Sequence, residues 1–126
     1  MMTIRSILIV DDEENQRFIV EQALRTLACD WAIATVSSVS EALSALDGST
    51  PDLIITDYHM PVMNGLELIA QIRRRKLRSR IILMTAYSSP ELYDAAQQLK
   101  IDHYITKPVA ITDLRRLATA TLMAEA

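Results

Sequence analysis

Five polar side chains lie directly after short apolar runs that are typical of buried strands. They are Asp11, Asp12, Asp57, Thr85 and Lys107. In an open parallel sheet, ligands bind in the crevice at the carboxyl ends of the strands. The five side chains follow four such runs. If the four runs are neighbouring parallel strands, the side chains line one pocket.

The acidic members of this set predict a metal site. Carboxylates within a few ångströms of one another raise each other's pKa values unless a cation lies among them. Oxygen donors without His or Cys favour a hard ion such as Mg²⁺, which takes few protein ligands. The adjacent pair Asp11 and Asp12 suits the metal. Asp57 stands alone after the central strand and suits a nucleophile.

Lys107 and Thr85 extend the predicted site to a phosphoryl group. A metal ion, an ammonium and a hydroxyl together can hold its three oxygens during in-line transfer. Each signal has a commoner explanation by itself. An Asp after a strand usually caps a turn, an acidic run usually balances a helix dipole, and a Lys-Pro pair usually starts a helix. Their joint placement at neighbouring strand ends favours the functional interpretation.

Strand-like and helix-like runs alternate five times along the chain. Continuous apolar runs predict buried strands at 7–10, 53–56 and 81–84, a short strand ends at Thr106, and a weaker run at 31–36 predicts an edge strand. This alternation predicts an α/β fold with a parallel sheet and right-handed crossovers. The first helical stripe is predicted to contain Phe18, Ile19, Ala23, Leu24 and Leu27.

Length and composition indicate one ordinary domain, residues 1–126, with half of its residues apolar. The net charge of −3 gives no broad attraction to nucleic acid. The basic run at 73–76 is expected to be a solvated helix end, and Cys29 is expected in or near the core. No run approaches the roughly 18 apolar residues that span a bilayer, and no signal-peptide pattern is present. We therefore expect a cytoplasmic protein without a membrane partner.

The motifs around these residues resemble those of the receiver domains of bacterial two-component response regulators, over essentially the whole chain. The resemblance implies a flavodoxin-like (βα)5 three-layer sandwich whose parallel five-stranded sheet has the order 2-1-3-4-5. It also implies that Asp57 accepts a phosphoryl group from a phosphohistidine of a histidine kinase or phosphotransfer protein. The motifs are Ile-Leu-Ile-Val-Asp-Asp-Glu at 7–13, Asp-Tyr-His-Met-Pro-Val-Met-Asn-Gly at 57–65, Thr-Ala at 85–86, and Tyr-Ile-Thr-Lys-Pro at 104–108.

The resemblance also implies a role for each site residue. Asp12, Asp57 and the backbone carbonyl of His59 would bind Mg²⁺, while Asp11 assists through water. Lys107, Thr85 and the N–H of Ala86 would contact the oxygens of the phosphoryl group on Asp57.

A domain of this kind catalyses only its own phosphorylation and dephosphorylation, so we do not expect an enzyme acting on other substrates.

Switching is implied by the same resemblance. On phosphorylation Thr85 would move toward the new charge and Tyr104 would turn inward, changing the surface of the fourth helix, fifth strand and fifth helix. The Lys107–Pro108 bond is expected to be cis. His59 and Tyr87 flank the acceptor, and we expect these bulky groups to restrict the hydrolytic water and prolong the phosphorylated state.

Four positions depart from the common family pattern. Lys100 and Ile101 stand where Gly-Ala is frequent, Val109 where Phe is frequent, and Asn64 where Asp is frequent. Loss of the glycine removes a favoured helix C-cap, so we expect a differently shaped end of the fourth helix.

Other functions stay open at this point. A flavodoxin-like cofactor module would need a phosphate-binding loop after the first strand, where the run Asp11–Glu14 would repel phosphate. A phosphate-ester hydrolase would need specificity elements beyond this core, and a pseudo-receiver would only bind partners.

The output domain or partner protein is not encoded in any motif. No DNA-binding motif follows the fifth helix, so we expect no direct nucleic-acid binding by this chain, and a homodimer through helices four and five is compatible with the pattern.

Overall fold

The computed structural model describes residues 5–25 and 31–123. Within these ranges, strands and helices alternate from the first element to the last. The strands are β1 (Arg5–Val10), β2 (Trp31–Val36), β3 (Leu53–Asp57), β4 (Arg80–Thr85) and β5 (His103–Thr106). The helices are α1 (Glu14–Arg25), α2 (Val39–Gly48), α3 (Gly65–Arg74), α4 (Pro90–Gln98) and α5 (Ile111–Met123).

The strands form one parallel sheet with the order β2-β1-β3-β4-β5. Buried residues of α2, α3 and α4 pack on one face of the sheet, and those of α1 and α5 pack on the other. The central strands are apolar on both faces because helices cover both faces. This is the predicted flavodoxin-like three-layer sandwich, and the predicted strand order is confirmed.

The edge strand β2 also agrees with its prediction. It pairs with β1, and its residues are partly buried or exposed along its whole length. By contrast, every residue of β3 is buried. Helix α2 begins after Ser38, whose side chain accepts a hydrogen bond from the Glu41 N–H. Ser38 is therefore the N-cap of α2.

The predicted stripe of α1 is partly wrong. Val20, Ala23 and Leu24 are buried, whereas Phe18 is 60% exposed and Ile19 is 46% exposed. Two residues turn a helix by about 200°, so burying Val20 against the sheet directs Phe18 away from it. The remaining member of the stripe, Leu27, and the predicted core residue Cys29 lie outside the described residues.

Arg73 departs from the predicted solvated helix end. Its guanidinium donates hydrogen bonds to the carbonyls of Leu99 at 2.9 Å, Lys100 at 2.9 Å and Ser79 at 3.2 Å. The neighbouring Arg74 and Lys76 are exposed, as predicted. Arg73 therefore ties the end of α3 to the end of α4, because the carbonyls after a helix need donors from outside it.

The end of α4 keeps a left-handed residue although the family's glycine is missing. Leu99 caps the helix, and Lys100 follows with φ of 58°. A residue with a Cβ is disfavoured in this region by about 1–2 kcal/mol. Lys100 thus adopts the left-handed conformation that a glycine after a helix favours, and the expected difference in shape from other family members stays a prediction.

Substituting Lys100→Gly is expected to raise the free energy of unfolding by about 1 kcal/mol, because glycine adopts a positive φ without a Cβ clash. Lys100→Ala is the matched control, since it removes the ammonium but keeps the Cβ. Urea denaturation of the three proteins measures the difference. Equal stability of the glycine and alanine variants would show that the backbone conformation is not the cause.

Candidate functional site

The predicted site residues converge because four neighbouring strands end at one edge of the sheet. Asp11 follows β1, Asp57 is the last residue of β3, Thr85 is the last residue of β4, and Lys107 follows β5. Thr85 pairs in register with Thr106, so Lys107 begins beside the end of β4. The strand ends therefore meet at one edge of the sheet, as predicted. Asp12, Asp57 and Lys107 line one cleft there, whereas Asp11 and Thr85 are buried and do not line it.

The carboxylates of Asp11, Asp12 and Asp57 form a compact cluster. One oxygen from each lies within 4.8 Å of the others. Asp11 is 3% exposed and Asp57 is 7% exposed, while Asp12 is exposed. Burial raises the pKa of Asp11, and the charges of Asp57 and Asp12 raise it further, against the lowering effects of the Glu13 N–H and of Lys107.

Lys107 supplies the positive charge next to this cluster. Its Nζ lies 2.7 Å from Asp57 Oδ1 and 3.6 Å from Asp11 Oδ2. Burial alone would lower the pKa of Lys107, but the hydrogen bond and charge of Asp57, with those of Asp11, raise it overall. Its backbone N–H donates to the Thr85 carbonyl at 2.8 Å. The peptide bond to Pro108 is cis, as predicted.

The cluster fits a divalent cation. Three carboxylates face one ammonium, so negative charge is in excess. Asp11 Oδ2 is a buried oxygen without a hydrogen-bond partner in the described parts of the chain. A buried carboxylate oxygen without a hydrogen bond is costly, and an oxygen-only donor set suits Mg²⁺. Asp11, Asp12 and Asp57 are the residues that could hold the ion, which agrees with the predicted metal site.

The loop after Asp57 is held close to the site by Gly65. A Cβ at this position would collide with the backbone carbonyl of Asp57, so glycine is required by close approach. The Gly65 N–H donates to the Tyr58 carbonyl at 2.8 Å. Asn64, which replaces the family's frequent Asp, forms a capping box with Glu67 at the start of α3. The departure at position 64 therefore leaves the helix start intact.

Thr85 is fully buried at the end of β4 and is already tied to the segment that follows it. Its Oγ1 accepts a hydrogen bond from the Tyr87 N–H at 3.0 Å. A hydroxyl that accepts one hydrogen bond still has its own proton to donate. Ala86 is exposed and lines the cleft above Asp57. Ala86 therefore faces the same cleft as Asp57, and Thr85 precedes it in the chain as a buried residue.

Two aromatic side chains stand at the mouth of the cleft. The rings of His59 and Tyr87 lie edge to face with centroids 6.3 Å apart. His59 is exposed and Tyr87 is 76% exposed. Both line the cleft with Asp57, as the family resemblance implied for these positions.

Tyr104 does not line the cleft and lies on the side of the sheet covered by α2, α3 and α4. Its ring is half-buried against that core cluster, and its hydroxyl lies 2.6 Å from Ser88 Oγ. The ring of Tyr93 meets it edge to face at 5.2 Å. Ser88 and Tyr93 carried no sequence signal, because their roles depend on contacts between α4, β5 and the segment before α4.

An apolar wall of the cleft was also missed. The open cleft, about 630 Å³ in volume, is lined by Asp12, Asp57 and Lys107 and also by apolar residues. Ile19 belongs to the predicted apolar stripe of α1, whereas the apolar residues after the Lys-Pro pair carried no prediction for this cleft. The wall is formed by Ile19, Val20, Val109, Ile111 and Leu114.

Comparison with known protein families agrees with this geometry. The model of the response regulator receiver domain matches residues 7–119. The DNA-binding transcriptional regulator NtrC of Klebsiella pneumoniae is 37% identical over 105 residues, covering 83% of this chain but 22% of that protein. An uncharacterized 14.6 kDa protein from the sodA1 3′ region of Leptolyngbya boryana is 37% identical over 114 residues, covering 88% of this chain and 85% of that protein.

Solved structures show the same fold. A CheY-like response regulator receiver domain protein from Methanospirillum hungatei superposes with a TM-score of 0.88 at 26% identity, covering 95% of this chain and 94% of that one. The phosphorylated cyanobacterial phytochrome response regulator RcpA, at 21% identity, shares the fold with a TM-score of 0.87 and covers 98% of each chain. Among the described residues, no helix has the length and apolar character needed to cross a membrane.

The match from residue 7 to residue 119, together with an acidic cluster, a threonine and a lysine at adjoining strand ends, shows that this chain belongs to the family of response regulator receiver domains of two-component systems.

Proposed function

We propose that Asp57 accepts a phosphoryl group in a magnesium-dependent reaction from a phosphohistidine on a histidine kinase or phosphotransfer protein. The observation that carries the proposal is the placement of Asp57 in an open cleft, 2.7 Å from Lys107 and beside two further carboxylates. A buried carboxylate used only for structure would not need two more acids beside it, because each raises the cost of ionising the others.

The transfer makes one bond and breaks one bond. An oxygen of Asp57 forms a P–O bond as the P–N bond to the donor imidazole breaks, and the imidazole nitrogen keeps the electron pair. Lys107 contacts Oδ1 of Asp57. Its ammonium is therefore close enough to contact an oxygen of a phosphoryl group bound to Asp57. When bound by Asp11, Asp12, Asp57 and the His59 carbonyl, Mg²⁺ would supply positive charge against the developing phosphoryl oxygens.

Thr85 and Ala86 complete the contacts to the phosphoryl group. The Thr85 hydroxyl has a proton to donate while it accepts from the Tyr87 N–H. The Ala86 N–H offers a second donor from the same segment. Donors placed in advance on the developing charge stabilise it without further reorganisation. The domain, which we assign to residues 1–126, thus catalyses only its own phosphorylation and dephosphorylation.

Phosphorylation adds almost two negative charges to the cleft. We propose that Thr85 follows this charge and that Tyr104 responds, because both are bonded to the segment between β4 and α4. The surface of α4, β5 and α5 then changes for a partner. NtrC is named a DNA-binding transcriptional regulator; for this chain, the output is either a further domain or a separate protein, and the site of action is cytoplasmic.

The decisive experiment is incubation with acetyl phosphate and Mg²⁺, followed by intact-protein mass measurement. Wild type is expected to gain one phosphoryl group, and Asp57→Asn is expected to gain none, because an amide is not a nucleophile of this kind. Asp94→Asn, which changes an exposed acid of α4, is the matched control and should react like wild type. No magnesium-dependent gain in wild type would leave a pseudo-receiver that only binds partners.

The aromatic pair at the cleft mouth is expected to control how long the phosphoryl group persists. His59 and Tyr87 narrow the approach to Asp57, so replacing both with alanine should shorten the lifetime of the phosphorylated state several-fold. The loss of the mass gain after removal of acetyl phosphate measures this lifetime. A lifetime that hardly changes would contradict water exclusion by these rings.

A further inference from the structure

Arg17 reaches from the first turn of α1 back to the loop that carries two acids of the cluster. Its Nη1 donates a hydrogen bond to the Asp11 backbone carbonyl at 2.8 Å, and its backbone N–H donates to the Glu13 carbonyl at 3.0 Å. The residue is partly buried and does not line the cleft. Any effect of Arg17 on the cleft therefore passes through the loop from Asp11 to Glu13.

The bond from Arg17 holds the peptide unit that joins Asp11 to Asp12. A peptide unit is planar, so the direction of the Asp11 carbonyl also fixes the plane in which the chain enters Asp12. Asp12 is exposed, so burial does little to fix its side chain. The hydrogen bond on the preceding carbonyl therefore constrains where the Asp12 carboxylate lies.

The other polar groups of Asp11 are held from different sides. Its N–H donates to the Val36 carbonyl of β2 at 3.2 Å, and its Oδ1 accepts the Glu13 N–H at 3.0 Å. Its Oδ2 is buried without a hydrogen-bond partner in the described parts of the chain and lies 3.6 Å from Lys107 Nζ. With Arg17 on the carbonyl, Oδ2 is the group of Asp11 that remains for a cation.

A fixed carboxylate lies near the Arg17 guanidinium. Glu41 Oε1 accepts hydrogen bonds from the N–H and the hydroxyl of Ser37, both at 2.6 Å. These bonds lower the pKa of Glu41, and the charge of Arg17 lowers it further, against a raising effect of desolvation. The negative charge of Glu41 is thus held at the end of β2, where it favours one position of the long Arg17 side chain.

We propose that Arg17 is a positioning residue for the divalent cation: by holding the Asp11 carbonyl, it keeps the Asp11 and Asp12 carboxylates in the geometry that Mg²⁺ requires. The inference rests on the proposed function, which needs Mg²⁺ at this cluster. Mg²⁺ demands near-octahedral ligands at about 2.0–2.1 Å, so a small displacement of the loop lowers its affinity.

The charge of Arg17 and its positioning role predict opposite effects on Mg²⁺ binding. A guanidinium near the cluster repels a divalent cation, so loss of the charge alone would strengthen Mg²⁺ binding. Loss of the positioning bond weakens it, by about tenfold, the lower end of the range for partners that orient metal ligands. Ca²⁺ accepts a more flexible coordination geometry, so its affinity should fall by a smaller factor.

The test is calorimetric titration of the whole chain with MgCl₂ and, separately, with CaCl₂ at constant ionic strength. Arg17→Met keeps an unbranched side chain without a donor and is expected to bind Mg²⁺ about tenfold more weakly than wild type. Arg17→Ala, which suits a helix, should behave like Arg17→Met and replaces it if that protein does not fold. Arg17→Lys keeps a donor on a long stem and is expected to recover most of the affinity.

Arg25→Met is the matched control. Arg25 lies at the other end of α1, where it pairs with Glu21 at 2.8 Å. The substitution removes the same charge from the same helix but leaves the Asp11 carbonyl bond intact. Mg²⁺ should therefore bind to this variant at least as tightly as to wild type.

The outcomes separate the two proposals. If wild type itself does not bind Mg²⁺, the proposed magnesium-dependent function fails. If wild type binds Mg²⁺ and the folded Arg17→Met or Arg17→Ala protein binds it equally well or more tightly, the positioning role is wrong. It is equally wrong if Arg25→Met loses as much affinity, if Mg²⁺ and Ca²⁺ lose affinity by the same factor, or if Arg17→Lys recovers none.

Discussion

Lys107→Met is expected to slow the phosphorylation of Asp57 by acetyl phosphate by about a hundredfold to a thousandfold, the range for removing one preorganised group that stabilises developing charge. Lys107 Nζ lies 2.7 Å from Asp57 Oδ1, so it is already placed beside the oxygen atoms that change during transfer. Methionine keeps a long apolar stem of similar shape but cannot carry the charge.

The structure also predicts how Lys107→Met changes stability with pH. The folded-state pKa of Lys107 lies above the ordinary 10.5, so its contribution to stability is fully present below that value and is lost as pH rises through the folded pKa. At neutral pH the variant should therefore be less stable than wild type. The reason is that, in the variant, the carboxylates of Asp57 and Asp11 lose the ammonium that they contact in wild type.

The measurement is the observed rate of mass gain under the same acetyl phosphate and Mg²⁺ concentrations. Lys76→Met is the matched control, because Lys76 is exposed beyond the end of α3, and it should react at the wild-type rate. A Lys107→Met protein that is folded and reacts as fast as wild type would rule out a role for the ammonium in transfer.

Asp12→Asn is expected to remove at least half of the stabilisation by Mg²⁺ while raising the stability of the metal-free protein. The Asp12 charge is one of the causes of the raised pKa of Asp11, after burial and the Asp57 charge. A carboxyl whose folded-state pKa is raised costs stability as pH rises above its ordinary value of 3.8. Removing a neighbouring negative charge lessens that cost, so the metal-free variant should melt at a higher temperature.

Thermal unfolding with and without MgCl₂ tests both halves of this prediction. A ligand at about one hundred times its Kd stabilises a folded protein by about 2.7 kcal/mol, so wild type should melt clearly higher with Mg²⁺. For Asp12→Asn the stabilisation at the same MgCl₂ concentration should fall to about 1.4 kcal/mol or less, because losing one carboxylate ligand weakens binding at least tenfold.

Glu14→Gln is the control for Asp12→Asn. Glu14 is an exposed acid in the first turn of α1 and lies outside the Asp11, Asp12 and Asp57 cluster. The Glu14→Gln substitution changes the net charge by the same amount as Asp12→Asn, yet the Glu14→Gln protein should be stabilised by Mg²⁺ as wild type is. If Glu14→Gln and Asp12→Asn behaved alike, the effect would come from overall charge and not from a metal site.

Much of the fold was predictable because its strongest signals are local. The apolar runs of β1, β3 and β4 are continuous in sequence, since helices cover both faces of the sheet. Strand ends follow from where those runs stop, and that is enough to gather Asp11, Asp57 and Thr85 at one edge. The weak run of β2 was likewise recognisable as an edge strand.

Helix faces were less predictable. The α1 sequence offers apolar residues over more than one face, and the choice between Phe18 and Val20 depends on how the helix lies against the sheet. Arg73 is similar, because its three carbonyl partners come from residues 79, 99 and 100. Sequence spacing carries no information about a contact made across so many residues.

The amino-acid sequence by itself determined the chemistry that this protein can perform: an acidic cluster, a threonine and a lysine, each after its own strand. Tertiary structure alone decided how these groups are coupled. The contacts of Lys107 with Asp57 at 2.7 Å and with Asp11 at 3.6 Å, and the hydrogen bond between Ser88 and Tyr104, join residues that are distant in the chain. The lack of a hydrogen bond at Asp11 Oδ2 depends on burial. Strand identity is a property of neighbouring residues, whereas these distances depend on how the strands and helices pack together.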